Sequence, residues 1–239
     1  MASKFFILGF FLILAMVSCK AEKPVEQKKS APPVIVKSKP VALSEEQRTE
    51  LGFPSRIIAQ VEVAAGVKAE PFFATVVMRS ENLKGDKGFE SKKLAGFSVH
   101  TAKSDGLIES FRAPYRSQGY LIFRSQRGYG ALPDIVTIVK GNNSYDILKV
   151  QGTEGINYNL DTKAIIAWLR ARQSEASFTV IGAGPDWLEA QFTKPPKNMR
   201  SFAKKVSAFA PDVLTRDTRS MEKLAESMQK TNGFKLAWE

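Results

Sequence analysis

The chain begins with an apolar segment that ends at its only cysteine. A short start containing Lys4 is followed by apolar residues from Phe5 to Ala15, and small residues precede Cys19. The segment is shorter than the ~20 apolar residues that a helix needs to cross the ~30 Å hydrocarbon layer of a membrane. A basic start, a short apolar stretch and a small-residue end predict a secretory signal peptide over residues 1–18.

The end of this segment resembles a known processing motif. Met16-Val17-Ser18-Cys19 is similar to the lipobox of bacterial lipoproteins. The resemblance implies that the Cys19 thiol carries diacylglycerol, that the chain is cut just before Cys19, and that fatty acyl chains such as palmitate anchor it. A lone thiol in an exported protein is open to oxidation, and each buried acyl CH₂ contributes ~0.8 kcal/mol of membrane affinity. A cleaved signal peptide with an incidental cysteine and an uncleaved N-terminal helix remain as alternatives.

The residue after the cysteine bears on the destination. Lys20 stands where many lipoproteins that stay in the inner membrane of Gram-negative bacteria have Asp. The lipoprotein resemblance therefore implies a location in the cell envelope, at the outer membrane and facing the periplasm.

The positive charge of the chain is concentrated beside the predicted anchor. The net charge is +11, and residues 20–43 hold six Lys, two Glu and four Pro. We expect residues 19–43 to form a lipidated cysteine and a disordered basic linker, because this stretch has no apolar period. Each cation close to an anionic lipid surface gains on the order of 1 kcal/mol. The charge distribution thus favours the membrane as a partner, and we expect no binding of nucleic acid.

The composition excludes most familiar active sites. The chain has one His and one Cys, so a Ser-His-Asp or Cys-His system would have to use His100. Zinc sites built from Cys and His lack ligands. We therefore expect no metal site and no cofactor, and we assign no catalytic residue.

Residues 44–92 are predicted to form an N-terminal helix and strand subregion. Ser44-Glu-Glu-Gln47 resembles a capping box that starts a short helix. The segments after it are predicted in this order: the helix to Leu51, strands at Val61–Val67 and Phe72–Met78, and an exposed loop at Asn82–Lys93.

Residues 93–239 are predicted to form an α+β domain. A helix at Thr101–Phe111 cut by Pro114 is followed by further elements. These are a strand at Tyr120–Arg124, a hairpin of Ile135–Val139 with Tyr145–Val150, a helix capped at Asp161 or Thr162, strands at Phe178–Ile181 and Trp187–Phe192, helices from Asn198 and around Met221–Met228, and a strand at Phe234–Trp238. The pattern predicts a mixed, mainly antiparallel sheet with helices packed on it.

Several short motifs in residues 134–239 resemble one bacterial family. They include Asp146-Ile-Leu, Gln151-Gly-Thr-Glu-Gly-Ile-Asn-Tyr158, Ile165-Ile-Ala-Trp-Leu, Asp186-Trp-Leu-Glu189, Ala210-Pro-Asp212 and Leu236-Ala-Trp-Glu239. Their order and spacing are similar to those of the domain of unknown function family number 4253. Since that family has no established activity, the resemblance implies a domain boundary and a fold class only.

Two groups of residues are candidates for ligand binding. Asp186, Trp187 and Glu189 lie at a turn into a strand, where Trp187 and Glu189 share one face. An indole beside carboxylates can bind carbohydrate or peptide, can raise a carboxyl pKa for acid catalysis, or can simply pack under a helix with the acids in solvent.

The second group lies in a loop rich in glycine. Asn157 and Tyr158 are candidates for binding a ligand there. Alternatively, Thr153 and Asn157 stabilise the turn by hydrogen bonding to backbone groups. Asp212 follows Pro211 and is either a further binding residue or a turn acceptor. We interpret His100 as a surface residue near a helix start.

These features leave three hypotheses for function. The first is a lipid-anchored envelope domain that binds a protein or other envelope ligand without catalysis. The second is a hydrolase of envelope polysaccharide or peptide that uses Asp186 and Glu189. The third is an immunity-type inhibitor of a toxin.

The anchor is tested directly by Cys19→Ala. Without the thiol no thioether can form, so we expect acylation and cleavage of the chain to be lost, measured by fatty-acid labelling and by the mass of the product. Normal processing of the variant would contradict the lipoprotein hypothesis.

Overall fold

The computed structural model describes residues 41–78, 89–214 and 220–238, which belong to one compact unit. The predicted signal peptide, Cys19 and nearly all of the predicted linker lie outside the described residues. So does most of the predicted loop at Asn82–Lys93, whose last residues belong to a strand.

The described residues form seven α-helices and seven strands. The helices are α1 (Glu45–Leu51), α2 (Ser55–Ala65), α3 (Ser104–Arg116), α4 (Asp146–Gln151), α5 (Thr162–Arg172), α6 (Met199–Phe209) and α7 (Met221–Lys230). The strands are β1 (Glu70–Met78), β2 (Phe89–Thr101), β3 (Tyr120–Gln126), β4 (Asp134–Lys140), β5 (Ser177–Ala183), β6 (Trp187–Lys194) and β7 (Gly233–Ala237). None of these helices combines the length and the apolar character needed to span a membrane.

All seven strands belong to one mixed sheet. Their order is β1-β2-β4-β3-β5-β6-β7, and every neighbouring pair is antiparallel except β3 and β5, which are parallel. The predicted α+β class, with a mainly antiparallel sheet, is confirmed. The boundary predicted between residues 92 and 93 falls within β2, and β1 pairs with β2 in the same sheet.

The sheet carries a separate apolar core on each face. On one face, α1, α2 and α3 pack over β2, β4 and β3 around Phe97, Ile122 and Tyr115. On the other face, α4 to α7 pack over strands that include β3, β5, β6 and β7. Phe202 lies at the centre of this second core and contacts the rings of Phe192 and Phe234.

Elements with strong local signals lie where the sequence places them. Ser44 and Gln47 form a reciprocal capping box at the start of α1, and Asp161 and Asn198 accept backbone N–H groups at the starts of α5 and α6. Side-chain oxygens at these positions satisfy backbone donors that a helix leaves unpaired. The helix start is therefore encoded in a few adjacent residues.

The strand predicted at Val61–Val67 is wrong, because these residues begin within α2. The buried residues of α2 are Ile57, Ile58 and Val61, which recur with the helical period, while Val63 is exposed. The strand preference of the β-branched residues is overridden, since a helix buries one apolar stripe against the sheet.

The second strand of the predicted hairpin is also wrong. Tyr145–Val150 contains most of α4, which buries Ile147 and Leu148 and ends at Gly152 with φ of +60°. Strand β4 already pairs with β2 on one side and β3 on the other. No edge of β4 is therefore free for a hairpin partner.

The helix predicted at Thr101–Phe111 lies further along the chain. His100 and Thr101 end β2, so His100 does not stand near a helix start, and α3 continues through Pro114. The loss of one backbone donor near the end of α3 is tolerated because Tyr115 anchors this turn: its side chain is buried and its hydroxyl donates to the Ile57 carbonyl at 3.3 Å.

Truncation of the central ring in the second core tests the packing. We expect Phe202→Ala to lower the free energy of unfolding by about 3–5 kcal/mol, because it leaves a cavity beside the rings of Phe192 and Phe234. Chemical denaturation measures the change. The matched variant Phe73→Ala alters a partly exposed ring of β1 and should cost about 1 kcal/mol or less. Equal losses for the two variants would contradict this core assignment.

Candidate functional site

The candidate site is a cleft on the sheet face that carries α3. Beyond α3, this face opens into a cleft of about 620 Å³. Its floor comes from β3, β6 and β7, one wall comes from α3, and residues 127–130 form the opposite lip. We refer to this cavity as the Arg124 cleft, after the buried arginine at its base.

Arg124 points to the cleft because of the alternation within β3. Ile122 and Arg124 share one face of this strand, while Leu121 and Phe123 belong to the core on the other face. Arg124 is only 3% exposed. A buried guanidinium needs paired acceptors, since removal of a charge from water is costly.

Four groups from three parts of the fold accept hydrogen bonds from Arg124. Its Nε donates to Asp134 at 2.8 Å, and its Nη1 donates to Glu189 at 2.6 Å. Its Nη2 donates to Ser104 at 3.0 Å and also to Asp105. The guanidinium thus joins the start of α3, the start of β4 and the middle of β6.

The charges in this network determine the protonation of its members. Burial by itself would lower the pKa of Arg124, but Glu189, Asp105 and Asp134 outweigh it and raise the pKa. Burial by itself would raise the pKa of Asp134, but hydrogen bonds from Gly128 and Ser104 and the charge of Arg124 lower it. Both groups are therefore charged at neutral pH.

Glu189 is held between two arginines. It is 5% exposed, and its second oxygen accepts a hydrogen bond from Arg127 Nε. Each carboxylate oxygen of Glu189 thus faces a guanidinium. The Glu189 side chain therefore joins Arg124 to Arg127 within the protein.

The lip of the cleft is tied to the same network. Asp134 accepts a hydrogen bond from the Gly128 N–H at 2.8 Å, and Gly128 lies so close to Leu132 that a Cβ would be 1.9 Å from its carbonyl oxygen. Next to this turn, Tyr129 has φ of +50° and is 80% exposed. Left-handed backbone in a bulky residue is uncommon and is often found at functional sites.

Trp187 lies on a glycine shelf, formed by Gly182 and Gly184, next to the turn between β5 and β6. A Cβ on Gly184 would be 2.2 Å from the indole Nε1, and one on Gly182 would be 3.3 Å from the ring. The guanidinium of Arg127 lies 5.9 Å from the ring centroid. The two glycines of this turn therefore allow the indole to pack closely over the backbone.

A second, more apolar groove continues from the cleft along β7. It has a volume of about 320 Å³ and shares Arg127, Tyr129 and Lys235 with the cleft. Its apolar lining includes Trp187, Leu188, Val213, Leu224, Met228 and Leu236. We call it the β7 groove.

Two cations in the cleft have no carboxylate partner among the described residues. Arg112 donates to the neutral Gln191 side chain at 2.6 Å. Lys235 forms no ion pair within the described part of the chain, and its pKa is lowered by burial and then by the positive charge of Arg127. Acidic side chains lie near both cations, since Glu109 opposes the lowering of the Arg112 pKa and Glu189 and Asp105 oppose that of Lys235, but no ion pair joins them to these two cations among the described residues.

The first group of predicted site residues is divided between the two cavities. Glu189 lies in the Arg124 cleft, and Trp187 lines the β7 groove. Asp186 is exposed, and its carbonyl accepts a hydrogen bond from the Trp238 N–H at 2.9 Å. The structure thus places Trp187 and Glu189 on one strand face, as the alternation predicts, with Asp186 outside both cavities.

The second group, Asn157 and Tyr158, is connected to the β7 groove by a hydrogen bond between Tyr158 and Asp212. Asp212 lines the β7 groove, and both of its carboxylate oxygens lie 2.9 Å from the Tyr158 hydroxyl. This hydrogen bond raises the pKa of Tyr158. Asn157 is exposed in a 3₁₀ turn at Ile156–Tyr158 and does not line either cavity. Thr153, the other residue of this loop, is buried and donates to the Gly184 carbonyl at 2.8 Å.

The sequence interpretation missed most of the charged residues in the cleft. Arg124, Arg127, Asp134 and Lys235 were not among the candidates. One signal was present: Arg124 ends the apolar run Tyr-Leu-Ile-Phe in a strand predicted to be buried. A charged residue on an inward face implies a paired partner, but the sequence does not identify that partner.

Comparison with known proteins finds one family model that matches part of the chain. Residues 135–239 match the model of the Domain of unknown function (DUF4253), as the sequence motifs predict. No curated protein and no solved structure matches the chain. Among residues 41–78, 89–214 and 220–238, no group of His, Cys, Asp and Glu is arranged to hold a metal ion.

The matched residues supply only part of the cleft. Glu189 and Lys235 lie within the matched range, whereas Arg124, Arg127 and Asp134 precede it. The Arg124 cleft therefore forms between the family-like region and the strands and helix that come before it.

Replacement of the buried guanidinium tests the network. Arg124→Met removes the cation that three carboxylates share, so we expect a loss of about 3–5 kcal/mol in the free energy of unfolding at pH 7. Arg124 is one cause of the lowered pKa of Asp134, so without the cation the pKa of Asp134 in the folded variant rises, and its protonation relieves the repulsion among the carboxylates. In the wild type, the lowered pKa of Asp134 means that its ionised form stabilises the folded state at pH 7. This contribution to the free energy of unfolding is lost as the pH falls below about 4.

The difference in the free energy of unfolding between Arg124→Met and the wild type should therefore be smaller at pH 4 than at pH 7. Urea denaturation at both pH values measures this change. Arg116→Met, which alters an exposed arginine of α3, should stay within about 0.5 kcal/mol of the wild type at both values. A difference that is constant or grows at acidic pH would contradict the proposed ion network.

Proposed function

We propose that this protein is a lipid-anchored binding protein of the bacterial cell envelope. Its Arg124 cleft and β7 groove hold a segment of another envelope protein without catalysing a reaction. The observation that carries the proposal is that the buried carboxylates of a large cleft are committed to arginines, while cations and aromatic rings remain open at its mouth.

The pairing of Glu189 favours binding over hydrolysis. A catalytic carboxyl group must reach the reacting atoms of its substrate, and both oxygens of Glu189 already accept hydrogen bonds from Arg124 and Arg127. The alternative hydrolase would also need Asp186 beside Glu189, but Asp186 does not line the cleft. The geometry supports a site that recognises a ligand through fixed charges.

The β7 groove, where it joins the cleft, has the features of a protein-binding surface. Tyr129 and Trp187 offer large rings with little rotamer freedom, and Arg127 lies beside both of these residues in the β7 groove. Tyr, Trp and Arg are enriched among residues that contribute most to protein interfaces. Their backbone supports are fixed by the Asp134 contact to Gly128 and by the glycine shelf under Trp187.

The N-terminal motif supports the proposed location. Acylation of Cys19 would attach the chain to a membrane, and the basic linker of residues 20–43 would lie next to the lipid surface. We place the protein at the outer membrane, facing the periplasm, because Lys20 follows the cysteine. A tether of this kind lets the binding domain reach a partner in the envelope.

Site-specific cross-linking in cells tests the proposed function. A photoreactive p-benzoyl-phenylalanine replaces Tyr129, whose side chain lies at the junction of the cleft and the groove. We expect a discrete covalent adduct with one envelope protein after illumination, detected by its mass. Because the ring reacts only with groups within a few ångströms, the adduct reports the occupant of the site.

The matched control places the same photoreactive residue at Val63, which is 82% exposed on α2. It should give no such adduct. Identical adducts at both positions, or none at Tyr129, would contradict the binding proposal. A hydrolytic activity would also contradict it. In that case the purified protein would release soluble fragments from peptidoglycan, and the folded double variant Asp186→Asn, Glu189→Gln would not.

A further inference from the structure

Strand β7 has one open edge within the described part of the chain. It pairs with β6 and with no other described strand. The Phe192 N–H donates to the Asn232 carbonyl, and the Trp238 N–H donates to the Asp186 carbonyl. Since hydrogen bonding alternates along an antiparallel strand, the N–H and C=O groups of Lys235 point away from β6.

The two faces of this edge differ in character. On one face, Lys235 lies with Arg127 and Tyr129 at the mouth of the cleft. The β7 groove extends from these residues around the edge to the other face, where Leu224 and Met228 of α7 line it. An added strand would therefore place alternate side chains in a cationic and in an apolar environment.

From this arrangement we infer that β7 is the docking edge for an extended acidic segment of the partner protein. The segment adds an eighth strand to the sheet, with its acidic side chains toward Lys235 and Arg127 and its apolar side chains toward Leu224 and Met228. This inference rests on the proposed binding function and names the chemistry of the partner. Strand addition is a general mode of peptide recognition, in which backbone hydrogen bonds give affinity and alternate side chains give specificity.

The charge at the edge selects an acidic partner. Lys235 has no carboxylate partner among the described residues, whereas Glu189 next to it is already committed to Arg124 and Arg127. The positive charge of Arg127 also lowers the pKa of Lys235, after the larger effect of burial. Glu189 and Asp105 act on this pKa in the opposite direction, but neither forms an ion pair with Lys235. An incoming carboxylate can therefore form the ion pair that Lys235 does not make within the described part of the chain.

The same charge argues against two other occupants. In a pairing of two copies through β7, the two Lys235 side chains would meet at the shared edge, and like charges across strands are destabilising. The linker of residues 20–43 of this chain carries six Lys and two Glu, so it would bring further positive charge to Lys235. An acidic segment of another protein fits this edge better.

The length of β7 sets the length of the segment. The strand has five residues, so a six-residue segment spans it at ~3.4 Å per residue.

At its first residue, Gly233, a Cβ would lie 2.4 Å from the Ala190 carbonyl oxygen. The absence of a side chain there lets β7 approach β6 closely.

The experiment uses the full-length protein in detergent and two labelled peptides with blocked ends. One alternates Val and Glu over six residues, and the other alternates Val and Lys. Fluorescence anisotropy measures their binding. We expect the Val-Glu peptide to bind and the Val-Lys peptide to bind at least about tenfold more weakly.

A charge reversal at the edge predicts a gain of binding as well as a loss, so a folded variant can be told from an unfolded one. Lys235→Glu should reverse the preference, so that the Val-Lys peptide binds more tightly than the Val-Glu peptide by about tenfold. Binding of the second peptide also shows that the variant is folded. The matched control Lys163→Glu changes an exposed lysine of α5 and should leave the wild-type preference unchanged.

Backbone methylation tests strand pairing separately from charge. Two versions of the Val-Glu peptide carry N-methyl groups, one on every Val and the other on every Glu. Only one set of N–H groups can face β7, so one version should lose binding while the other retains it. Equal binding of both methylated versions would overturn the strand-addition inference.

Three further outcomes would also overturn it. They are the absence of a charge preference, a full-length dimer that dissociates on Lys235→Glu, and tighter binding of a synthetic peptide of residues 20–40 than of the Val-Glu peptide. The cross-link at Tyr129 separates the two proposals. An adduct at Tyr129 together with a failed peptide test leaves the binding function standing and removes the strand mode, whereas no adduct at Tyr129 removes the binding function itself.

Discussion

The structure depends on the charged contact that lies where the helix-covered part of one sheet face meets the open cleft. Helices α1 to α3 pack over β2, β4 and β3, and the face continues beyond α3 into the cleft. Arg124 lies at this boundary, where apolar packing ends. Burial of its guanidinium would cost several kcal/mol without partners, and Asp134, Glu189 and Ser104 supply them. An ionic contact therefore closes the core and also forms the base of the cleft.

This contact links stability to the shape of the site. Asp134 binds Arg124 through one oxygen and the Gly128 N–H through the other, so the network that closes the core also positions the lip that carries Tyr129. Glu189 similarly joins Arg124 to Arg127. The charged groups of the cleft are thus held in place before any ligand arrives, and a preorganised site loses less entropy on binding.

The fold was predictable from the sequence where the signals are local, and the site was not. The caps at Ser44 and Asp161 mark helix starts because each acts on its own next few residues. The strand predicted at Val61–Val67 failed because its structure depends on which surface remains to be covered. Glu189 was placed correctly on its strand face, but its partner Arg124 lies 65 residues away in the chain. A single sequence shows that a buried charge needs a partner and does not show which residue it meets.

A lysine on an open edge strand has two effects that act in the same direction. Natural sheets use lysine at edges to oppose pairing with further copies of themselves, because like charges would meet across the new strands. In the proposed strand addition, the same Lys235 side chain at β7 also attracts a segment that brings carboxylates. The apolar groove beside it adds affinity that does not depend on charge. Selectivity for an acidic strand and resistance to self-association therefore follow from a single cation at the edge.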